Sequence, residues 1–357
     1  MTDNEKSSVI RARSIVENYS GPEIRIMEVC GTHTHEIFRL GIRSILPDNI
    51  QLISGPGCPV CVTPMSYIDE AVYLALEKNA IICTFGDLVR VPGSEMSMWQ
   101  ARGKGGTIKT VYSPVDAVKI AGENPDREVV FLAVGFETTT PGACIALEKA
   151  VKEGITNFSL LTANKTMRNA YIQLKTSADA YMYPGHVSTM TGMGVYRELA
   201  RDYGISGAVT GFTASEIITA LATIIKKLGE GKPFAENCYP RVVTEEGSRP
   251  SRVIVNRVME PCDAEWRGLG VIHDSGMRLK EEYSSYDARK KFSIPEMNGV
   301  TSPGCRCGEI LLGQIKPYDC PLYGKVCTPE HPVGACMVSG EGTCSAYYKY
   351  GKLDFIK

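Results

Sequence analysis

The feature that most constrains this chain is an alternation. Over the first two thirds, short β-branched runs take turns with segments whose apolar residues recur at helical spacing. IRIMEV (24–29) and NIQLIS (49–54) read as strands, and HEIFRLGIRSIL, just after Cys30, as a helix. SYIDEAVYLALEKNA sets Ile68, Ala71, Val72, Ala75 and Leu76 on one helical face, and AIICTFGD then returns as a strand. The pattern restarts with the strand EVVFLAVG (128–135) and the helix GACIALEKAVKEG, which has Pro141 in its first turn. It continues with the strand NFSLLTA, the helix MTGMGVYRELARDYG, the strand SGAVTGF and the helix ASEIITALATIIKKLG, ending at Gly229. Strands alternating with helices predict parallel α/β sheets, divided here into one unit over 21–125 and another over 126–235.

Beyond residue 236 the character changes. From 301 to 344 the chain is rich in Pro, Gly and Cys and has few residues that could build a core. A segment of that kind needs a staple. The expected fold class is α/β: two parallel-sheet α/β domains, then a Cys-rich, mainly helical or irregular domain over 236–357.

Bulk properties narrow the function. A net charge of −1 and the absence of any basic run argue against nucleic-acid binding. The longest apolar stretch, VVFLAVGF (129–136), is too short to span a bilayer, and MTDNEKSSVIRARS lacks the apolar segment of a signal peptide. These features lead us to expect a cytoplasmic protein that binds neither nucleic acid nor membrane. Thiols stay reduced in that compartment, so 13 cysteines point to metal or redox chemistry rather than structural disulfides.

The polar and sulfur-bearing residues fall where the expected strands end: MEVCGTHTHE, ISGPGCPVC, CTFGD, VGFETTTP and VTGFTASE. Ligands of open α/β folds bind outside the carboxyl ends of strands. Cys30 ends a strand and precedes a helix. The helix N-terminus, with His33 or His35, is expected to lower the thiol pKa and make the sulfur a nucleophile or a soft ligand for iron; otherwise Cys30 is a small buried residue. Cys58 and Cys61 form a Cys-x-x-Cys pair that can close reversibly to a disulfide or, with Cys30 and the two histidines, ligate zinc. Glu137 in GFETTT and His186 in YPGHVS are polar residues of Gly-containing loops, read either as functional groups or as loop supports. Cys83 and Cys144 read as core, and nothing is assigned to Cys238 and Cys262.

Six cysteines crowd the last segment: Cys305, Cys307, Cys320, Cys327, Cys336 and Cys344. Four thiolates hold a 4Fe–4S cluster or a zinc ion. A cluster plus a redox-active pair uses all six; a zinc site leaves two spare.

CGTHTH (30–35), SGPGCPVC (54–61), GFETTTP (135–141), PGHVS (184–188) and the C-terminal cysteine array, in that order, together resemble the HypD family of hydrogenase maturation proteins. The resemblance covers nearly the whole chain, with no departure at the cysteines. It implies a redox-active scaffold on which the Fe(CN)2CO group of nickel–iron hydrogenase is assembled, with a HypC-like chaperone and a HypE-like cyanide donor as partners. It implies an iron–sulfur third domain in which Cys305, Cys320, Cys327 and Cys344 hold a 4Fe–4S cluster beside a redox pair, Cys307 and Cys336. It further implies that Cys30 holds the iron being decorated, next to the disulfide-forming Cys58 and Cys61. Two readings compete with it: a stand-alone thiol–disulfide oxidoreductase, and a zinc-stabilised interaction protein.

Overall fold

The structure, a computed structural model, describes residues 3–300 and 302–351. In chain order the strands are β1 (Ile24–Glu28), β2 (Ile50–Ser54), β3 (Ile81–Thr84), β4 (Thr107–Thr110), β5 (Val129–Gly135), β6 (Phe158–Asn164), β7 (Ala180–Pro184), β8 (Gly207–Thr210), β9 (Ala235–Asn237), β10 (Met259–Trp266) and β11 (Gly270–Leu279). One parallel sheet has the order β2-β1-β7-β8-β9 and a second the order β4-β3-β5-β6, while β10 and β11 form an antiparallel hairpin. The expected α/β class with parallel sheets is what the protein has.

The two sheets do not follow the two stretches 21–125 and 126–235. Strands β1 and β2 pair with β7, β8 and β9, whereas β3 and β4 pair with β5 and β6. The chain starts one sheet, leaves to build the whole of the second, and returns. Local periodicity identifies strands but carries nothing about partners: Ile26 pairs with Ala180, far along the chain. The hairpin is a second departure, since 236–357 was expected to be helical or irregular. Its β10 strand shows alternating burial, as a half-exposed antiparallel ribbon should.

The four-stranded sheet shows why its strands read so clearly. All seven residues of β5 are buried, because helices cover both faces. Val129, Phe131 and Ala133 pack with Ala143, Cys144 and Leu147 of the helix Thr140–Glu153; Val130, Leu132 and Val134 pack on the other side with Ile68, Ala71 and Leu74 of the helix Met65–Leu76. Cys83 and Cys144 lie in this core, as expected. The five-stranded sheet buries Ile26, Leu52 and Met182 against the helices Asp3–Glu17 and Ala214–Gly229. Its other face, with Met27, Val29, Tyr181 and Tyr183, enters a central core that also contains Cys58, Cys61, Trp266, Cys307 and Cys336. That core joins both sheets, the hairpin and the Cys-rich segment. Among the described residues, no helix is long and apolar enough to cross a membrane.

Candidate functional site: two sets of four cysteines beside Cys30

Strand β1 delivers Cys30, and β2, its parallel neighbour, delivers the loop of Cys58 and Cys61. Parallel pairing sets the carboxyl ends of the two strands, and so their loops, side by side. The loop lies directly on Cys30: Gly31 N–H donates to the Gly57 carbonyl at 3.2 Å. A Cβ on Gly57 would come within 2.1 Å of the Cys30 nitrogen and 2.3 Å of its Cα, so only glycine permits this approach.

Cys30 caps the helix Gly31–Arg39 with an extended backbone. Its thiol pKa is not lowered, as the sequence led us to expect, but pushed up to about 11. Burial is the main cause, reinforced by the Glu341 carboxylate. The His33 backbone N–H and the Thr32 hydroxyl oppose the shift without overcoming it. Protein burial alone therefore favours the neutral thiol, and a cation at the sulfur would be needed to reverse that. Glu341 reaches this position through a 2.7 Å hydrogen bond from the Thr32 hydroxyl. It was not anticipated, since nothing in its local sequence marks it.

The histidines stand apart from the sulfur chemistry. The buried His33 donates Nε2–H to the Gly211 carbonyl at 3.0 Å and stacks on Phe212, with ring centroids 4.6 Å apart. Burial holds its pKa down to about 4, so the ring is neutral and its Nδ1 has no protein partner. His186 is exposed and stacks on the same Phe212, at 4.1 Å. His35 bonds Tyr350 through Nε2 at 2.9 Å and Glu36 through Nδ1 at 3.2 Å. The expected zinc alternative, Cys30 with Cys58, Cys61 and histidines, is not assembled: among the described residues, only Asp263, His273 and Asp274 bring three such ligand atoms within 4.8 Å of one another.

Glu137 follows β5 and lies at the meeting of the two sheets. Its Oε1 accepts the Met167 N–H at 2.8 Å, while Oε2 is buried without a partner. Burial raises its pKa to about 7. It lines a cavity of about 200 Å³ with Thr140, Thr166, Thr191 and Arg252. Burial pushes the Tyr171 phenol well above its usual range, reinforced by the neighbouring Tyr196 and Tyr183.

Eight further cysteines divide into a chain and a nest. In the chain, the Cys61 thiol is within hydrogen-bond reach of both Cys58 and Cys336, and the Cys336 and Cys307 sulfurs are 3.1 Å apart. These pairwise interactions link four sulfurs in the order Cys58, Cys61, Cys336, Cys307. Burial and sulfur neighbours push Cys61 well above the usual thiol range. Cys336 is held well below it, by hydrogen bonds from Cys307 and Cys61 and by the charge of Arg267. Arg267 is a further residue that sequence reasoning missed.

In the nest, Cys305, Cys320, Cys327 and Cys344 line one small cavity with Leu322, Tyr323 and Met337. Cys305 is pushed up to about 11, by burial first and then by its sulfur neighbours; Cys344 rises well above the usual range for the same reasons. The Val333 N–H points at the Cys327 sulfur, at 3.3 Å.

The family model HypD, described as "Hydrogenase formation hypA family", matches residues 7–351. The hydrogenase maturation factor HypD of Azotobacter vinelandii is 39% identical, over 98% of this chain and 95% of its own length. The proteins of that name from Rhodobacter capsulatus and Escherichia coli are each 42% identical, over 92% of this chain and 89% of theirs. A match of this extent means that the chain belongs to the HypD family of hydrogenase maturation factors.

Proposed function

We propose that this protein is a cytoplasmic, redox-active scaffold for the Fe(CN)2CO group of nickel–iron hydrogenase, working with a HypC-like chaperone and a HypE-like cyanide donor. One observation carries the reading: the unbroken line of sulfurs from Cys307 through Cys336 and Cys61 to Cys58, which begins beside the four-cysteine nest and ends at the loop lying on Cys30.

The nest fits a 4Fe–4S cluster better than zinc. Zinc, with bonds of about 2.3 Å, draws its sulfurs to roughly 3.8 Å from one another. No three of the nest sulfurs lie within 4.8 Å of one another. Four sulfurs facing one cavity, with Cys305 and Cys344 pushed up by burial and sulfur neighbours, want positive charge among them, and the Val333 N–H suits a thiolate ligand. When bound, a cluster supplies electrons one at a time. Cys305, Cys320, Cys327 and Cys344 would hold it. Cys307 and Cys336, in the same cavity wall, would take up the electrons as a dithiol.

Cys30 is suited to hold the iron that is being decorated. Soft thiolate matches iron carrying strong-field ligands. The high pKa of the free thiol fits a sulfur that ionises only when a cation arrives. Glu137, with a pKa near 7 and a free oxygen, can hold or release a proton. A stand-alone oxidoreductase needs a thiol that partner proteins can reach. Cys58 is 4% exposed and Cys61 fully buried, which disfavours that reading.

The test is infrared spectroscopy of the protein isolated anaerobically with its HypC-like partner. CN and CO bands are expected from the complex. Cys30→Ala should lose them and keep the brown colour of the cluster. Bands at full intensity in Cys30→Ala would place the iron elsewhere.

A further inference from the structure

We propose that the cleft along the open edge of strand β2 is a flavin-nucleotide site, and that a reduced flavin bound there supplies electrons to the nest. This rests on the cluster reading of the nest and adds to it the class of the donor and its point of entry.

The cleft has a volume of about 610 Å³, within the range of small-molecule and cofactor sites. Strand β2 is the edge strand of its sheet, and all five of its residues line the cleft. The opposite wall is the stretch 313–319, which leads from the helix Cys307–Leu311 toward Cys320. Two contacts join this space to the nest. Ile310, only 2% exposed, lines the cleft and the nest cavity alike, so one aliphatic side chain is their common wall. Tyr318 lines the cleft and Tyr323 the nest, and their rings meet edge to face with centroids 5.4 Å apart.

The lining selects the occupant. An open strand edge invites another strand. Here the Asn49 carbonyl and the Gly55 N–H bond to β1, so alternation turns the Leu52 carbonyl outward, and Arg43 Nη1 already donates to it at 2.8 Å. Glu28 holds the same guanidinium at 2.7 Å. A peptide strand meets a capped edge, which leaves the cleft to a compact ligand. Tyr318 and Tyr347, also edge to face at 5.4 Å, offer ring surface to a planar aromatic molecule. Gln51 and Gln314 supply amides for a heteroaromatic edge, and Lys316 a cation for a phosphate. The carboxylates on the lining are Asp48 and Asp319, and Asp319 already accepts the Lys316 backbone N–H at 2.8 Å. A donor beside an iron–sulfur group has to release electrons singly. Nicotinamides transfer hydride, whereas flavins also carry out one-electron chemistry.

The exchange balances. A fully reduced flavin gives two electrons, one after the other, to the group held by Cys305, Cys320, Cys327 and Cys344. It gives two protons to solvent and leaves as oxidised flavin. Passed along the thiol chain, the two electrons, with two protons from solvent, open the Cys58–Cys61 disulfide to two thiols.

The experiment uses anaerobically purified full-length protein and flavin mononucleotide. Binding is read by equilibrium dialysis, which needs no colour, and electron entry by the rate at which photoreduced flavin bleaches the brown absorbance, divided by the rate with dithionite. Wild type should retain the flavin. The double variant Gln51→Trp, Gln314→Trp fills the cleft from exposed positions on both walls, which spares the fold. It should lose retention, and its rate ratio should fall about tenfold or more. Tyr318→Leu should weaken binding about three- to tenfold. Wild type that retains no flavin overturns the proposal, and so does a double variant whose retention and rate ratio stay within about twofold of wild type. A colourless, iron-free wild type is a separate result: it removes the cluster reading, and retention alone then decides whether the cleft is a flavin site.

Discussion

The protein contains two sets of four cysteines, built from the same residue and told apart by the spacing of their sulfurs. In the nest, four sulfurs surround one cavity and no three are within 4.8 Å of one another. In the chain, the Cys336 and Cys307 sulfurs stand 3.1 Å apart, and the Cys61 thiol interacts with both Cys336 and Cys58. A disulfide needs sulfurs about 2.05 Å apart, which a small shift of contacting thiols achieves. Sulfurs spread around a void cannot pair that way and suit a group that fills the void. The origin of the strands matters too. The nest comes wholly from the last 53 residues (305–357), whereas the chain draws half its sulfurs from the β2 loop and half from the C-terminal segment. A nest can form locally, but the chain exists only once the whole fold has closed.

The largest effect should come from breaking the nest. Cys327→Ser is expected to abolish the brown absorbance, with iron falling from about four per chain toward zero, and to leave the segment after residue 302 open to limited proteolysis, because few apolar residues hold it. The sulfurs of the chain should remain titratable. A variant with full colour and wild-type protease resistance would mean that the nest is not a metal site.

Glu137 sharpens the other side of the comparison, since it follows strand β5 and is not in the nest. Its folded pKa is raised from 4.5 to about 7. As pH rises from 4.5 to 7, the unfolded chain ionises at this group while the folded one keeps its proton. Stability from this group therefore falls across that window and stays low above it. Glu137→Gln removes the slope. Relative to wild type it should gain up to roughly 3 kcal/mol between pH 5 and pH 8, read from denaturation midpoints, with cluster colour unchanged. Equal differences at both pH values would contradict the buried, protonated carboxyl.

A smaller effect on stability is expected from Gly57→Ala. The new methyl meets the Cys30 backbone, and overpacking of this kind costs about 1–3 kcal/mol. The nest should keep its iron. Maturation should fail, because the loop of Cys58 and Cys61 is pushed off Cys30. Normal maturation in this variant would show that the contact between loop and Cys30 is dispensable.

Much of this was legible in the sequence. The helix Ala214–Gly229 was read at its observed bounds, because a Thr213–Glu216 capping box and an apolar stripe mark it locally. Strand β5 was clear because seven consecutive buried residues leave an apolar run. The central strand β7 was missed. Its residues AYMYP carry tyrosines, end at a proline and show no alternation, since every one of them is buried. Edge strand β4, TIKT, is short and polar. The assignment of strands to sheets was not legible at all, because the register of Ile26 with Ala180 leaves no trace near either residue. At the site, cysteine motifs announce themselves by residue type. The raised pKa of Cys30 does not, because the helix terminus is visible in the sequence and the depth of burial is not. Arg267 was invisible for a related reason: its burial and its bonds to the Val62, Thr63 and Pro92 carbonyls exist only once the hairpin has docked.

The central claim is that electrons entering at the nest reach Cys58 and Cys61 only through Cys336. Its most direct test begins with anaerobic protein in which Cys58–Cys61 has been oxidised. A photochemically generated one-electron donor is then supplied, and free thiols at each cysteine are counted over time by isotope-labelled alkylation and mass spectrometry. Wild type should lose cluster absorbance on reduction and regain two thiols at Cys58 and Cys61. Cys336→Ser should show the same bleaching but leave the Cys58–Cys61 disulfide intact. If Cys58 and Cys61 are reduced as fast in Cys336→Ser as in wild type, the line of sulfurs is not the path and the account is wrong.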